Sequence, residues 1–116
     1  MPPDTRDPAY LWDMQDAAAS IRQFAAGVTF EEYARNPMIR SAVERQLEIL
    51  GEAARRVSQE FKEAHPEVPW RRIVGLRNLL AHEYGDIQHE RVWRIISGSI
   101  PSLIDQLRPL VPPRST

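Results

Sequence analysis

An all-α fold, an antiparallel bundle of four to five helices, is what this chain predicts, and three observations carry that expectation. Apolar residues recur at spacings of three and four, most plainly at Ile39, Val43, Leu47, Leu50, Ala54, Val57 and Phe61, which is the period of one helix face. Glycine is scarce at 5, and no Val/Ile/Thr-rich alternating run appears, so the usual marks of strands and hairpins are missing. A length of 116 residues with 42% apolar content suits one domain with one core. We take residues 1–116 as that single domain, with an ordered core of about 8–110.

The first helix begins near Pro8, carries Tyr10, Leu11, Met14, Ala17, Ala18, Ile21, Phe24 and Ala25 on its apolar face, and stops at Gly27. Thr29 and Glu32 have the spacing of a capping box, which makes TFEEYAR a short second helix ending before Asn36-Pro37. Asn36 caps the third, with Pro37 in its first turn, and its period runs unbroken to about Lys62. Gly51 within it costs about 1 kcal/mol relative to Ala, a cost that a close helix-helix approach would explain. HPEVP, residues 65–69, breaks the pattern. A fourth helix follows from Trp70 to about Tyr84, with Gly85 as its stop. The fifth opens at Asp86 or Gln88, and Pro101 inside it should kink or divide it. The tail VPPRST is expected to fray.

Composition narrows the function. There is no cysteine, which removes disulfides, thiolate metal sites and cysteine nucleophiles, and suits a reducing compartment. No apolar run approaches the roughly 18 residues of a membrane span, and MPPDTRDPAY lacks the order of a signal peptide, so a cytoplasmic protein without a membrane partner is expected. The net charge is −1, too low for bulk attraction to nucleic acid, so any such contact must be local. Residues 1–65 hold 8 Lys/Arg against 11 Asp/Glu, whereas residues 66–116 hold 7 against 5, which makes the second half the anion-binding half.

That half contains GLRNLLAHEYGD, residues 75–86. At about 100° per residue, Trp70, Ile73, Val74, Arg77, Leu80, Ala81 and Tyr84 share one face. Arg77 thus falls in an apolar row and must find an acid, such as Glu44 or Glu48 of the third helix, or look into a groove. Asn78 and His82 are i, i+4 neighbours, so the amide can orient the imidazole. Arg77 and His82 are five apart, roughly 140° around the helix. To act on one ligand they need either a helix that loosens at His82 or a second copy of the chain across a two-fold axis. Spacing alone makes Tyr84 a packed aromatic, His65 a loop residue, His89 a solvent-facing one, and Trp12, Trp70 and Trp93 core anchors. The three histidines fit no zinc spacing, so no metal ligand is assigned and no cofactor is called for.

RNLLAHEY, residues 77–84, resembles the Arg, any four, His, any one, Tyr motif of the HepT family in the HEPN superfamily of helical-bundle ribonucleases. AVERQLEILGEAARRVS, FKEAHPEVPWRRIVGLRN and VWRIISGSIPSLIDQL resemble the family's pattern as well, so the likeness covers Tyr10 to Leu107. It implies a HEPN-like two-fold homodimer acting as the toxin of a type II toxin-antitoxin pair, a metal-independent endoribonuclease with RNA as substrate. On the matching positions it implies that Arg77 and His82 are catalytic; Asn78 is added in support from its i, i+4 spacing to His82, not from the motif. Tyr84 becomes the residue that a minimal nucleotidyltransferase antitoxin modifies with AMP from ATP. The competing reading is a catalytically silent helical module that binds a nucleotide or a partner through the same groove.

Overall fold

The computed structural model describes residues 6–82 and 85–114, and side chains at all of these except 85–87. Every described element is helical: α1 (Asp7–Ala25), α2 (Phe30–Arg35), α3 (Pro37–Arg56), α4 (Gln59–Ala64), α5 (Trp70–Val74), α6 (Leu76–His82), α7 (Gly85–Arg94), a π-helical turn (Ile95–Ser99) and α8 (Ile100–Leu107). These segments group into the expected five runs, because α3 and α4, α5 and α6, and α7 and α8 each follow one another with little or no break.

α1 and α3 form the central pair, and α8 closes over α1. Leu11, Met14, Ala18 and Ile21 of α1 interleave in one buried cluster with Val43, Leu47, Leu50 and Ala54 of α3 and with Leu103 and Leu107 of α8. The faces are the ones the period marks out, and burying them supplies the main drive to fold. The two caps are as the sequence suggests. Thr29 Oγ1 accepts from the Glu32 N–H at 3.1 Å, and Asn36 Oδ1 accepts from Met38 and Ile39 at 3.1 and 3.2 Å. Gly27 takes φ 73°, the left-handed geometry of a helix stop.

The structure departs from the sequence reading at several places. The third helix does not run through to Lys62. It ends at Arg56, and Ser58 caps a separate α4 by accepting from the Phe61 N–H at 3.2 Å. The cause is Asp7, 2% exposed at the start of α1, whose carboxylate accepts from Ser58 N–H at 2.8 Å and from Ser58 Oγ at 2.6 Å. Val57 is still buried and Phe61 partly so, which is why the period hides the break. Gly75 likewise divides the fourth helix into α5 and α6, and Gly85, expected as a stop, is the first residue of α7. Ahead of Pro101 the chain widens into a π turn, with Ile100 N–H bonded to the Ile95 carbonyl, so the proline's missing donor is absorbed without breaking the rod. The tail is tied down rather than frayed as far as Arg114: Trp12 Nε1 donates to the Pro112 carbonyl at 2.8 Å, and Arg114 meets Asp16 at 2.6 Å. Among the described residues no helix is long and apolar enough to cross a membrane.

Candidate active site

The segment that carries Arg77 is anchored from its N-terminal side. Trp70 is buried, donates through Nε1 to the His65 carbonyl at 2.9 Å, and meets the Phe61 ring edge-on at 6.1 Å. Ile73 and Leu76 are buried against α3. Gly51 makes that contact possible. A Cβ added there would stand 3.0 Å from the Ile73 carbonyl oxygen, 3.8 Å from Leu76 Cβ and 3.9 Å from Arg77 Cγ. The glycine whose cost invited a close approach is therefore the point where α3 sets the position of α5, α6 and the stem of Arg77.

Arg77 is not in the middle of the buried row. The buried face runs through Trp70, Ile73 and Leu76 at steps of three, so Leu76 is the inward residue and Arg77 lies at the edge, its side chain 64% exposed. Its acid partner is Glu52, at 3.4 Å from Nη1, rather than Glu44 or Glu48. Glu44 lies instead in the electrostatic reach of Arg40 and His89, and Glu48 pairs with Arg45 at 3.4 Å.

Glu52 is shared. Arg55 donates to its two oxygens at 2.7 and 3.1 Å, and Arg56 Nε donates at 3.0 Å. Hydrogen bonds from Arg55 and then Arg56 hold its carboxyl down at about 2, so it is an anion throughout the neutral range. Arg77 has the longest contact in this cluster and the most exposed guanidinium, and exposed ion pairs hold weakly. It is tethered but exchangeable. Glu52, Arg56 and Arg77 border a cleft of about 330 Å³ that also takes in Tyr10 and Asp13 of α1 and Arg45 of α3. A phosphate entering there could replace Glu52 at Arg77 while Glu52 kept its other two arginines.

His82 is exposed at the last described turn of α6, and Asn78 is exposed one turn before it. His82 is not among the residues lining the Arg77 cleft. α6 is α-helical through His82, so the separation of roughly 140° stands and the helix does not loosen to bring the two together within the described residues. Tyr84 lies outside the described residues.

The other histidines divide. His65 sits at the end of α4, stacked on Phe61 at 4.4 Å and 3.4 Å from Glu67. His89 is not solvent-facing as spacing suggested. It is half-buried, its ring edge-on to Tyr33 at 6.3 Å and its Nδ1 covered with no hydrogen-bond partner among the described residues. Burial, and then the nearby Glu44 charge, push the Tyr33 hydroxyl well above the usual range. No group of three His, Cys, Asp or Glu among the described residues is arranged to hold a metal ion.

An exposed arginine and an exposed histidine thus lie on one short helix of an all-α bundle. The profile of the ribonuclease HepT-like family matches residues 14–110, most of the chain. The chain belongs to the HepT-like ribonuclease family. It is 40% identical over 95 residues, 82% of this chain and 87% of the relative, to "Putative RNase MJ1380" of Methanocaldococcus jannaschii. It is 36% identical over 94 residues, 81% of this chain and 86% of the relative, to "Probable ribonuclease HepT" of Thermococcus cleftensis. No solved structure matches it. The family's matched region contains α6 entire, together with Gly51, Glu52 and the arginines that surround it. Glu52 as the partner of Arg77 is what sequence reasoning missed, although Gly51 beside it, already suggesting a close helix-helix approach, was the signal.

Proposed function

We propose that this HepT-like chain is a toxin of a type II toxin-antitoxin pair, a metal-independent endoribonuclease acting in the cytoplasm as a homodimer. The observation that carries the reading is Arg77: charged, largely exposed, close at its stem to α3, and held at its tip, among the described residues, by a carboxylate that two other arginines already satisfy. RNA brings its own nucleophile. The 2′-OH attacks the adjacent phosphorus, its proton leaves, the P–O5′ bond breaks, and the leaving oxygen takes a proton, giving a cyclic phosphate and a free 5′-OH. An imidazole, with an ordinary pKa of about 6.5, can accept and return such protons, a contribution of typically 10² to 10⁴-fold. His82 has that role. Arg77 offers a permanent fork of donors to the extra charge on the phosphorane. Asn78, one turn from His82, orients the ring. Because α6 turns the two catalytic side chains apart, Arg77 of one subunit works with His82 of the other.

Tyr84 is the site at which a minimal nucleotidyltransferase antitoxin attaches AMP from ATP, expelling pyrophosphate. The tyrosyl phosphodiester adds a negative charge and a bulky adenylate two residues from His82. It competes with substrate phosphate by the electrostatics that govern phosphorylation.

The Arg77–Glu52 pair favours one other reading, a silent module in which the arginine is only a structural tie between α3 and α6. Expression of the wild type beside His82→Ala and Arg77→Ala in a bacterial host separates the two. The toxin reading expects growth arrest and fragmented RNA with the wild type alone. Equal growth and intact RNA in all three would leave the silent module.

A further inference from the structure

A second concavity lies beyond the Arg77 cleft, where α4 turns into α5. Pro66 and Pro69 fix the backbone of this turn, Val68 is buried beneath it, and the Trp70 bond to His65 closes its neck. The cleft is open and about 700 Å³ in volume. Its charged side chains are Lys62, Arg71 and Arg72 with one carboxylate, Glu63, a local excess of two positive charges in a chain whose net charge is −1. Arg71 and Arg72 are exposed and have no partner among the described residues, whereas the α3 arginines at 45, 55 and 56 are all engaged by Glu48 or Glu52.

Two adjacent arginines of α5 line this cleft with Lys62 of α4, whose ammonium donates to the Arg55 carbonyl at 3.2 Å, and an anion entering it would neutralise the local positive excess. The cleft is too large and too open for one phosphate, and its polar rim surrounds an apolar floor of Val68, Trp70 and Val74. Arg72 stands five residues before Arg77, about 8 Å along the helix axis but roughly 140° around it. A strand whose scissile phosphate reached Arg77 would therefore enter this cleft by wrapping around α5 rather than by running straight along one face.

We propose that the Lys62/Arg71/Arg72 cleft is an RNA-backbone groove that holds the strand flanking the cleavage point and sets substrate affinity without taking part in chemistry. The proposal rests on the ribonuclease reading for what happens at Arg77, but the contact itself is a binding event and is measured separately. In a His82→Ala background, where RNA survives, binding of a fluorescent single-stranded oligoribonucleotide is titrated at several salt concentrations. Arg71→Ala/Arg72→Ala is expected to weaken binding by roughly tenfold at low salt, and to make the salt slope shallower by about 1.4 for two lost phosphate contacts. Arg71→Lys/Arg72→Lys keeps the charges and is expected to keep most of the slope. Arg22→Ala/Arg35→Ala removes the same charge elsewhere and should change little. In the otherwise wild-type chain, the double alanine variant raises KM and leaves kcat in place.

Unchanged affinity and slope in Arg71→Ala/Arg72→Ala overturn the proposal, as does an equal loss in the Arg22/Arg35 control, which would mean bulk charge alone. Loss of binding to a nucleotidyltransferase partner with RNA affinity intact assigns the cleft to a protein and overturns it too. If the wild type bound RNA through this cleft yet left it whole, the groove would stand and the nuclease reading would fall.

Discussion

Gly51→Ala tests whether the α3 contact positions the site. Taken alone, the change should help, because alanine exceeds glycine by about 1 kcal/mol in a helix interior. Here the new methyl meets the Ile73 carbonyl oxygen at 3.0 Å, backbone rather than a flexible side chain, so α5 must give way by some tenths of an ångström. Overpacking of this kind costs about 1 to 3 kcal/mol. The net expectation is a loss of roughly 0 to 2 kcal/mol, read as a lower urea midpoint with an unchanged m value, and as a Tm drop of up to about 8 °C. The same shift carries Arg77, whose Cγ lies 3.9 Å from that methyl. Since a misplacement of about 1 Å can cost 100-fold in rate, RNA cleavage should fall roughly five- to tenfold, more than the stability loss explains. A variant that is more stable by the full helix-propensity gain and cleaves as fast as the wild type would show that α3 and α5 do not meet as described. The stability arm reads even if the chain proves catalytically silent.

Three further outcomes are expected. Asp7→Ala strips Ser58 of two part-buried hydrogen bonds and should cost about 1 to 3 kcal/mol in urea unfolding, with Ser58→Ala costing less because the α4 cap is lost but the carboxylate survives to bond the backbone. Glu52 has a carboxyl pKa of about 2 against an ordinary 4.5, so the stability it lends is complete above 4.5 and is lost as pH falls through about 2; the Tm gap between wild type and Glu52→Gln should close across that window, and a constant gap would count against the shared arginine cluster. Tyr84→Phe should leave RNA cleavage intact while abolishing an AMP adduct on the tryptic peptide spanning it, and an unmodified wild-type peptide after co-expression with the nucleotidyltransferase would remove that role.

Features written in neighbouring residues were legible in the sequence. The Thr29 and Asn36 caps close bonds within three residues, and the core faces of α1 and α3 follow from period alone. Features closed over long separations were not. The break after Arg56 depends on Asp7, 51 positions from Ser58, and leaves the apolar spacing undisturbed, so nothing local announces it. The partner of Arg77 was ambiguous because Glu44, Glu48 and Glu52 recur at i+4 along one helix, and only the approach at Gly51 selects among them. His89 looked solvent-facing because its burial comes from Tyr33 of α2, an element far from it in sequence. The Arg71/Arg72 pair was visible only as part of a charge excess, since the absence of carboxylate partners is a property of the fold.

The turn of α6 also yields a test that separates one-chain from two-chain chemistry. If both catalytic groups came from the same subunit, mixing Arg77→Ala with His82→Ala chains would leave every site with one defect, and activity would stay absent. If Arg77 of one subunit faces His82 of the other, a mixed dimer places both defects in one site and restores a wild-type pair in the second. Random exchange then makes about half the dimers mixed and revives about one quarter of all sites. Activity near that level after subunit exchange, absent when the two proteins are mixed without exchange, is the expected result. No recovery from a mixture shown by mass spectrometry to contain mixed dimers would mean that the imidazole and guanidinium do not converge across subunits. With α6 helical through His82, they would then have no route to a common phosphate.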